Sequence, residues 1–524
     1  MVAASELPIN INASAIQMAQ TIMGDGVTVV SASYTGDGRS SGIYSDGLAT
    51  SPGVTPSDTG VILSTGRAQD FTNSSGQSNQ SNSTSTNTSG QNNNAQFNAA
   101  AGARTYDASY IDIDFIPTGS TMTIQFVFSS EEYPEFQNSV YQDFVGVWVN
   151  GAQVDMTIGD GDIDPNNLNA NSNENLFFDN TTDDYNTEMD GFTVTMTLTM
   201  NVTPGVVNSI RIGVADVVDS SYDSNLLIAA DSVQTVLVAQ DDSVEIYPNG
   251  TKTIDALAND GNATGGTLTI THINGVAVSA GDTVTLNTGQ QVTLNADGTM
   301  TITGDGDVET VNYTYTVESS TGQSDVGFVT VESVPCFVAG TLIATPDGLR
   351  AVEDLRSGDV VLTRDNGRQE IRWRGERIVE AAGDLAPVRI AAGAMGDHDT
   401  VLVSPQHRIL VQDVMAHLLF EEPEVLAAAK HLVNDSSIRV VEGGTVHYVH
   451  LLFDQHELIW ANGLLSESFL PGPQTSGLFE AETLAEIVSI FPELDPGTGE
   501  GYGPPARRIL QGFEARVLAN GFAA

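Results

Sequence analysis

Residues 336–367 read CFVAGTLIATPDGLRAVEDLRSGDVVLTRDNG, and the first of them, Cys336, is the one cysteine in a chain of 524. A lone thiol cannot close an intramolecular disulfide, so a cross-link is not its purpose. The character of the chain changes at the same point. Before Cys336 it is acidic and poor in arginine; after it come short strands joined by arginine-rich turns. A free cysteine at such a junction can attack the peptide bond just before it, which makes the chain a precursor that cuts itself. A small buried hydrophobe is the commoner fate of a single cysteine. The neighbouring residues decide between the two.

Charge bounds the partners. The formal net charge is −48 with a pI near 4.1, which excludes binding to a phosphate backbone and hence to nucleic acid. Five of the 19 basic residues (Arg39, Arg67, Arg104, Arg211 and Lys252) precede Cys336, together with 40 of the 67 acids. The two parts therefore carry −35 and −13. An acidic front rich in Thr, Asn, Gly and Asp is the composition of an exported or surface-exposed bacterial β-protein. Its first residues, MVAASELP, contain no basic residue and no long apolar core. No secretory signal peptide is expected there, and no apolar run is long enough to span a bilayer. The expected location is extracellular or at the cell surface, by a route read without an N-terminal signal.

Residues 14–234 alternate apolar and polar positions in strands near 110–116, 122–129, 144–149 and 192–200, after a short helix over 15–23. Residues 72–96, TNSSGQSNQSNSTSTNTSGQNNNAQ, are too polar to pack and are expected to form a mobile loop. Three stretches, FVFSSEEYPEFQNSVYQDFVGVWVNG (126–151), DGFTVTMTLTMNVTPG (190–205) and IRIGVADVVDSSYDSNLLI (210–228), resemble the bacterial choice-of-anchor L domain. The resemblance implies an exported protein tethered to the cell surface. Glu131, Glu132, Asp216, Asp219 and Asp223 are candidate ligands for Ca²⁺, a cation that prefers oxygen donors. Turn chemistry by Asp and Ser in strand connections explains the same residues equally well.

Residues 238–334 form a second β unit, with short strands near 267–272, 291–295, 300–302, 311–317 and 326–331 punctuated by Asn-Gly and Asp-Gly. The run 256–306 resembles bacterial immunoglobulin-like and cadherin-like repeats, which implies an antiparallel sandwich acting as a spacer. Asn259, Asp260 and Asp305 are candidate Ca²⁺ ligands here.

From Cys336 onward the motifs become specific. The opening stretch, with Cys336, Gly340-Thr341 and Gly358-Asp359, then VLVSPQHRILV (401–411), then YVHLLFDQHELIWANGLLSESF (448–469), resemble the successive blocks of the hedgehog/intein (Hint) domain. The resemblance covers roughly 334–470. It implies that Cys336 attacks the carbonyl of Pro335 in an N-to-S acyl shift, and thiols are intrinsically good nucleophiles. Under this reading Ser404 orients the scissile carbonyl or binds the oxyanion. His407 protonates the departing nitrogen, a role suited to imidazole. Asp454, His456 and His450 are candidate bases for the nucleophile that resolves the thioester. Full inteins end this region in His-Asn; here Glu467-Ser468 stands in that place. Two-ended splicing is therefore not expected. The acyl group would pass to water, an amine or a surface component, and no cofactor is needed. Zinc has no supporting ligand spacing.

The expected architecture is mainly β. A β-sandwich-like domain spans 1–236, an immunoglobulin-like sandwich 238–334 and an all-β Hint fold 335–470. A helical extension follows over 471–524, with helices near 480–491 and 505–518. The expected activity is single-turnover self-cleavage at Pro335–Cys336. The alternative is a non-catalytic, Ca²⁺-stabilised adhesin in which the Hint module is vestigial.

Overall fold

The computed structural model describes residues 2–137, 139–154, 163–246, 250–305, 311–332, 336–381, 386–420, 422–434, 436–470, 491, 502–510, 514–515 and 518. Strands dominate it, and they form three successive β units. Short helices decorate the strands. Ala15–Ile22 begins at a capping box in which Ser14 accepts from the Gln17 amide, and it buries Met18, Ala19 and Ile22.

In the first unit an eight-stranded sheet faces a five-stranded one. The larger sheet has Thr121–Ser130 at its centre, flanked by Ser224–Ala229 on one side and by Gly191–Thr193 and Met196–Asn201 on the other. The single strand expected over 192–200 is thus two strands with a break at Val194-Thr195. The smaller sheet runs Val27–Thr35, Thr105–Pro117, Asn208–Val217, Phe144–Val149 and Ala152–Gln153. Alternate side chains from both sheets, among them Phe115, Phe126, Phe128, Val147 and Ile212, fill the space between them.

Residues 72–96, expected to be mobile, are folded back onto this sandwich. Their amides donate to distant acids: Asn79 N–H to Asp183, Gln80 N–H to Glu188, Thr86 N–H to Asp223 and Thr88 N–H to Asp107. The segment ends in the helix Ala95–Ala101, capped by Asn94.

The second unit packs a five-stranded sheet on a four-stranded one around Tyr313, Tyr315, Val292 and Ile302. Asp242–Glu245 pairs parallel to Ser324–Glu332. The first two units share polar contacts: Asn175 donates to Asn312 and Thr288, and Gln125 and Gln234 both donate to Ser324 O.

The third unit has a six-stranded and a nine-stranded sheet. The smaller carries Phe337–Val338 between Thr445–Leu452 and Val401–Val403. The larger includes Leu458–Ala461, Leu464–Glu467, Arg408–Gln412 and Glu424–Ala428. The helix expected over 505–518 is corrected at its start. Arg508–Ile509 is a strand, added parallel to Glu424–Ala428 at the sheet edge. Helical backbone is found at Glu514 and Ala515. The expected helix over 480–491 lies outside the described residues except for Phe491. Among the described residues no helix is long and apolar enough to cross a membrane.

Candidate active site

Strand register assembles the site. Phe337 is opposite Val403 on one side and Val449 on the other. The pairs are antiparallel, so the residue before Phe337 faces the one after each partner. Cys336 thus stands between Ser404 and His450. The atoms agree: the Cys336 amide donates to Ser404 Oγ at 2.7 Å, Ser404 N–H donates to Cys336 O at 2.9 Å, and the sulfur lies 3.3 Å from His450 Nε2. Cys336, Ser404 and His450 are all buried. Tyr448, Val446 and Ala381 form a buried cluster with Cys336, and the Phe469 ring meets His450 edge-on at 5.9 Å.

His407 follows Ser404 through a tight turn closed by His407 N–H donating to Ser404 O at 3.0 Å. Its ring packs on Phe337 with centroids 4.3 Å apart. It is buried, and neither ring nitrogen has a hydrogen-bond partner. Burial lowers its pKa to about 4 against the opposing pull of Glu467, with His450, Arg408 and His456 adding repulsion. The ring is neutral at pH 7. Ser404, rather than His407, bonds the Cys336 amide, which reverses the proximity expected from the motif.

The remaining candidates divide. His456 is fully engaged away from the sulfur. Its Nδ1 accepts from the Ala506 amide at 3.0 Å, while Nε2 lies 3.2 Å from Ser468 O and 3.3 Å from Glu467 Oε2. Asp454 is 59% exposed and pairs with Arg372 at 3.3 Å, so it does not join the buried group. Pro335 lies outside the described residues. Glu467, which marks the position of the missing splicing residues, is a buried carboxylate. It accepts from the Arg408 amide at 2.8 Å and faces the Arg408 guanidinium and His456. Burial alone would raise its pKa, but Arg408 and His456 outweigh that and hold it at about 2. In this low-dielectric site such pairing keeps the charge in place. The sequence named His450 only as one of three candidate bases; its place on the sulfur is a consequence of register.

The candidate cation ligands of the first unit fall into two groups. Glu131 and Asp223 lie at one end of the larger sheet, and the Glu131 amide donates to Asp223 O at 3.2 Å. Glu132 and Asp216 belong with Asp143, which accepts from Ser224 Oγ and the Val217 amide. Asp219 is only half-buried and accepts from the Ser221 amide. In the second unit Asp260 accepts from Gln240 N–H and Tyr315 Oη–H, whereas Asp305 is exposed and bonds Gln290. Among the described residues no three of His, Cys, Asp or Glu stand ready-made to hold a metal.

Comparison with protein-family models matches a choice-of-anchor L domain over residues 9–234, a bacterial Ig domain over 234–332 and a Hint domain over 335–473. No curated protein matches. Among solved structures, a bacterial intein-like domain from Clostridium thermocellum is 17% identical, covering 25% of this chain and 98% of its own, with a TM-score of 0.20. The gp41-1 intein is 14% identical over 25% of this chain and 97% of its own, with a TM-score of 0.17. The MchDnaB-1 intein is 13% identical over 25% and 98%, with a TM-score of 0.18. The chain carries, in sequence order, a choice-of-anchor L domain, a bacterial Ig domain and a Hint domain.

Proposed function

We propose that this protein is an exported, surface-associated precursor whose Hint domain breaks the Pro335–Cys336 bond once. His450 Nε2 takes the thiol proton as Sγ attacks the Pro335 carbonyl carbon. The C–N bond then breaks, the proton held by His450 passes to the Cys336 nitrogen, and a thioester joins Pro335 to Cys336. Ser404, already on that nitrogen, is placed to relay the proton, and His407 follows it through the turn closed by His407 N–H donating to Ser404 O. Water or an external amine then takes the acyl group and returns the proton to sulfur. The products of hydrolysis are a free acid at Pro335 and a chain beginning with Cys336.

One observation carries the reading: the Cys336 sulfur is buried with the His450 imidazole nitrogen 3.3 Å from it, and Ser404 Oγ accepts from the Cys336 amide at 2.7 Å. A merely structural cysteine needs no such partner. The unbonded His407 ring supports the same reading, because a buried polar group left unpaired costs about 1–3 kcal/mol and calls for an explanation. With Glu467-Ser468 where inteins carry His-Asn, the chain has no asparagine to cyclise at that place, so the break is one-ended.

Mass spectrometry of purified protein should find a fragment ending at Pro335, and Cys336→Ala should leave full-length chain only. Dithiothreitol should accelerate release, and hydroxylamine should trap the fragment as a hydroxamate. Cleavage that persists in Cys336→Ala ends the proposal. A wild-type chain that stays whole under all these conditions instead favours a vestigial module in a surface adhesin.

A further inference from the structure

Three neighbouring strands of the choice-of-anchor L domain each carry an acid just past the same end. Ser224 and Gly191 both lie opposite Ser130, on either side of it. One rung further out, Asp223, Glu131 and Asp190 therefore form a row across the sheet. Neighbouring strands are spaced by about 4.8 Å. All three acids are buried, at 3%, 0% and 1% exposure.

The row lacks the counter-charge it needs. Both carboxylate oxygens of Glu131 are without a hydrogen-bond partner, and so are Asp190 Oδ2 and Asp223 Oδ2. Glu131 faces the row, since after burial itself Asp190 is the strongest influence raising its pKa, with Glu188 and Asp223 also acting. Thr84 is near enough to oppose that shift without completing a hydrogen bond. Of the domain's four arginines, Arg39 pairs with Asp37, Arg211 with Asp112, Arg104 lies over the Tyr106 ring and Arg67 is exposed. Burial pushes Glu131 up to about 9, Asp223 to about 7 and Asp190 to about 6, with repulsion added by Asp190 at Glu131, by Asp70 at Asp223 and by Glu135 at Asp190. Three ionised carboxylates without a cation are not a stable arrangement in a buried site.

The neighbours supply more oxygen. Asn79 Oδ1 and Asn225 Oδ1 are also buried and unpaired, and Asn79 Nδ2 donates to Asp190. Calcium takes six to eight such ligands, carboxylate, amide and backbone carbonyl, at about 2.3–2.6 Å. The acids do not already stand at that spacing, so the ion would draw them together. The segment lying over the row is the polar one: Asp223 N–H donates to Thr84 O and Thr86 N–H donates to Asp223 Oδ1.

We propose that Asp223, Glu131 and Asp190 hold a calcium ion, and that this ion fastens residues 72–96 over the end of the sandwich. The site is independent of the chemistry at Cys336, so the Cys336→Ala chain is the material for the test. Calcium titrated calorimetrically into the EDTA-stripped protein should bind. It should raise the melting temperature by about 5 °C or more and protect 72–96 from proteolysis. Glu131→Gln and Asp190→Asn should each weaken calcium binding at least about tenfold, while Asp114→Asn, an acid elsewhere on the sandwich, leaves it unchanged.

A crossing of stabilities separates ligation from simple packing. In EDTA, Glu131→Gln should melt at or above the parent, because a buried carboxyl whose oxygens have no partner is gone; in calcium it should melt below. If either variant fails to fold, titration of the parent with calcium against magnesium still decides. Absence of calcium binding by the parent, or equal binding by the parent and both folded variants, overturns the proposal.

Discussion

His456 Nδ1 accepts the backbone N–H of Ala506 at 3.0 Å, joining residues 50 positions apart. The contact ties the segment 502–510 to the Hint core. Tyr502 Oη–H donates to Phe453 O at 2.8 Å, Arg507 pairs with Asp365 and Glu424, and Leu510, Ala515 and Leu518 enter the core itself. The described residues of the C-terminal extension therefore pack as part of the domain that carries Cys336. Ending the chain after residue 501 removes two buried leucines and Tyr502, a loss of about 5 kcal/mol by the area of the side chains. Such a protein should be insoluble or lose cooperative unfolding. His456→Ala should cost about 2–4 kcal/mol by orphaning the Ala506 amide and leaving Glu467 to Arg408 alone. Its cleavage rate, measured where the domain is still folded, should stay within about threefold of wild type. A hundredfold loss there would make His456 a participant in the chemistry rather than an anchor.

His450 and His407 should separate by the step they affect. His450 touches the sulfur, so His450→Ala should slow thioester formation by about 10²–10⁴-fold. The deficit should shrink at high pH, where the thiolate forms without a base. His407→Ala should also slow cleavage, but the loss should persist at high pH, because nitrogen still has to be protonated. Quenched time courses of fragment release at pH 7 and pH 9.5 read both outcomes. A pH-independent deficit in His450→Ala removes it as the base.

At Ser404 the hydroxyl, not the side-chain volume, carries the contact with the Cys336 amide. Ser404→Thr keeps that oxygen and should retain cleavage within about tenfold. Ser404→Ala leaves a buried amide unpaired, should cost about 1–3 kcal/mol of stability and should slow release by 10-fold or more. Equal rates for the two variants would show that the hydroxyl plays no part.

Much of this site was legible before the fold, for identifiable reasons. Cys336, Ser404 and His407 lie within contiguous motifs, so local sequence names them. Choosing among His450, Asp454 and His456 requires knowing that Phe337 pairs with Val449, a relationship between residues more than a hundred positions apart. Asp454 has the right chemistry for a base, but it lies just beyond the strand Thr445–Leu452, where it meets Arg372 and water. The polar run 72–96 also depends on residues distant in sequence. Its composition speaks for mobility, but its amides bond to Asp183, Glu188 and Asp223, which lie far along the chain. At Arg508–Ile509 helical patterning lost to an open sheet edge, since pairing with Glu424–Ala428 satisfies the backbone there.

The two front domains should unfold as one body because of Asp325. It is fully buried and accepts from Thr197 Oγ–H at 3.2 Å and from the Ala239 amide at 2.9 Å. Thr197 belongs to the first sandwich, Asp325 to the second, and Ala239 to the segment following the first. Asp325→Ala should convert one calorimetric transition of these domains into two. A single transition shifted downward would show that the contact contributes stability without coupling the domains.

The pH dependence of the Hint domain has two contributions with the same sign. His407 has a folded pKa of about 4, below the ordinary value near 6.5. Between those values the unfolded chain binds the proton and the folded one does not, so stability falls as pH drops from 6.5 towards 4. Glu467, held at about 2, stabilises the fold above its ordinary pKa and loses that contribution as pH falls through about 2. Each shift corresponds to roughly 3 kcal/mol at most. The His407 term therefore acts first on acidification, and only the Glu467 term continues below pH 4. Urea melts of the Cys336→Ala protein from pH 8 to pH 2 should show the midpoint of the Hint domain declining from about pH 6.5. His407→Phe, which fills the same apolar pocket without a titrating group, should flatten that decline while leaving the loss at lower pH. An unchanged slope in His407→Phe would mean that the histidine is not buried in its neutral form.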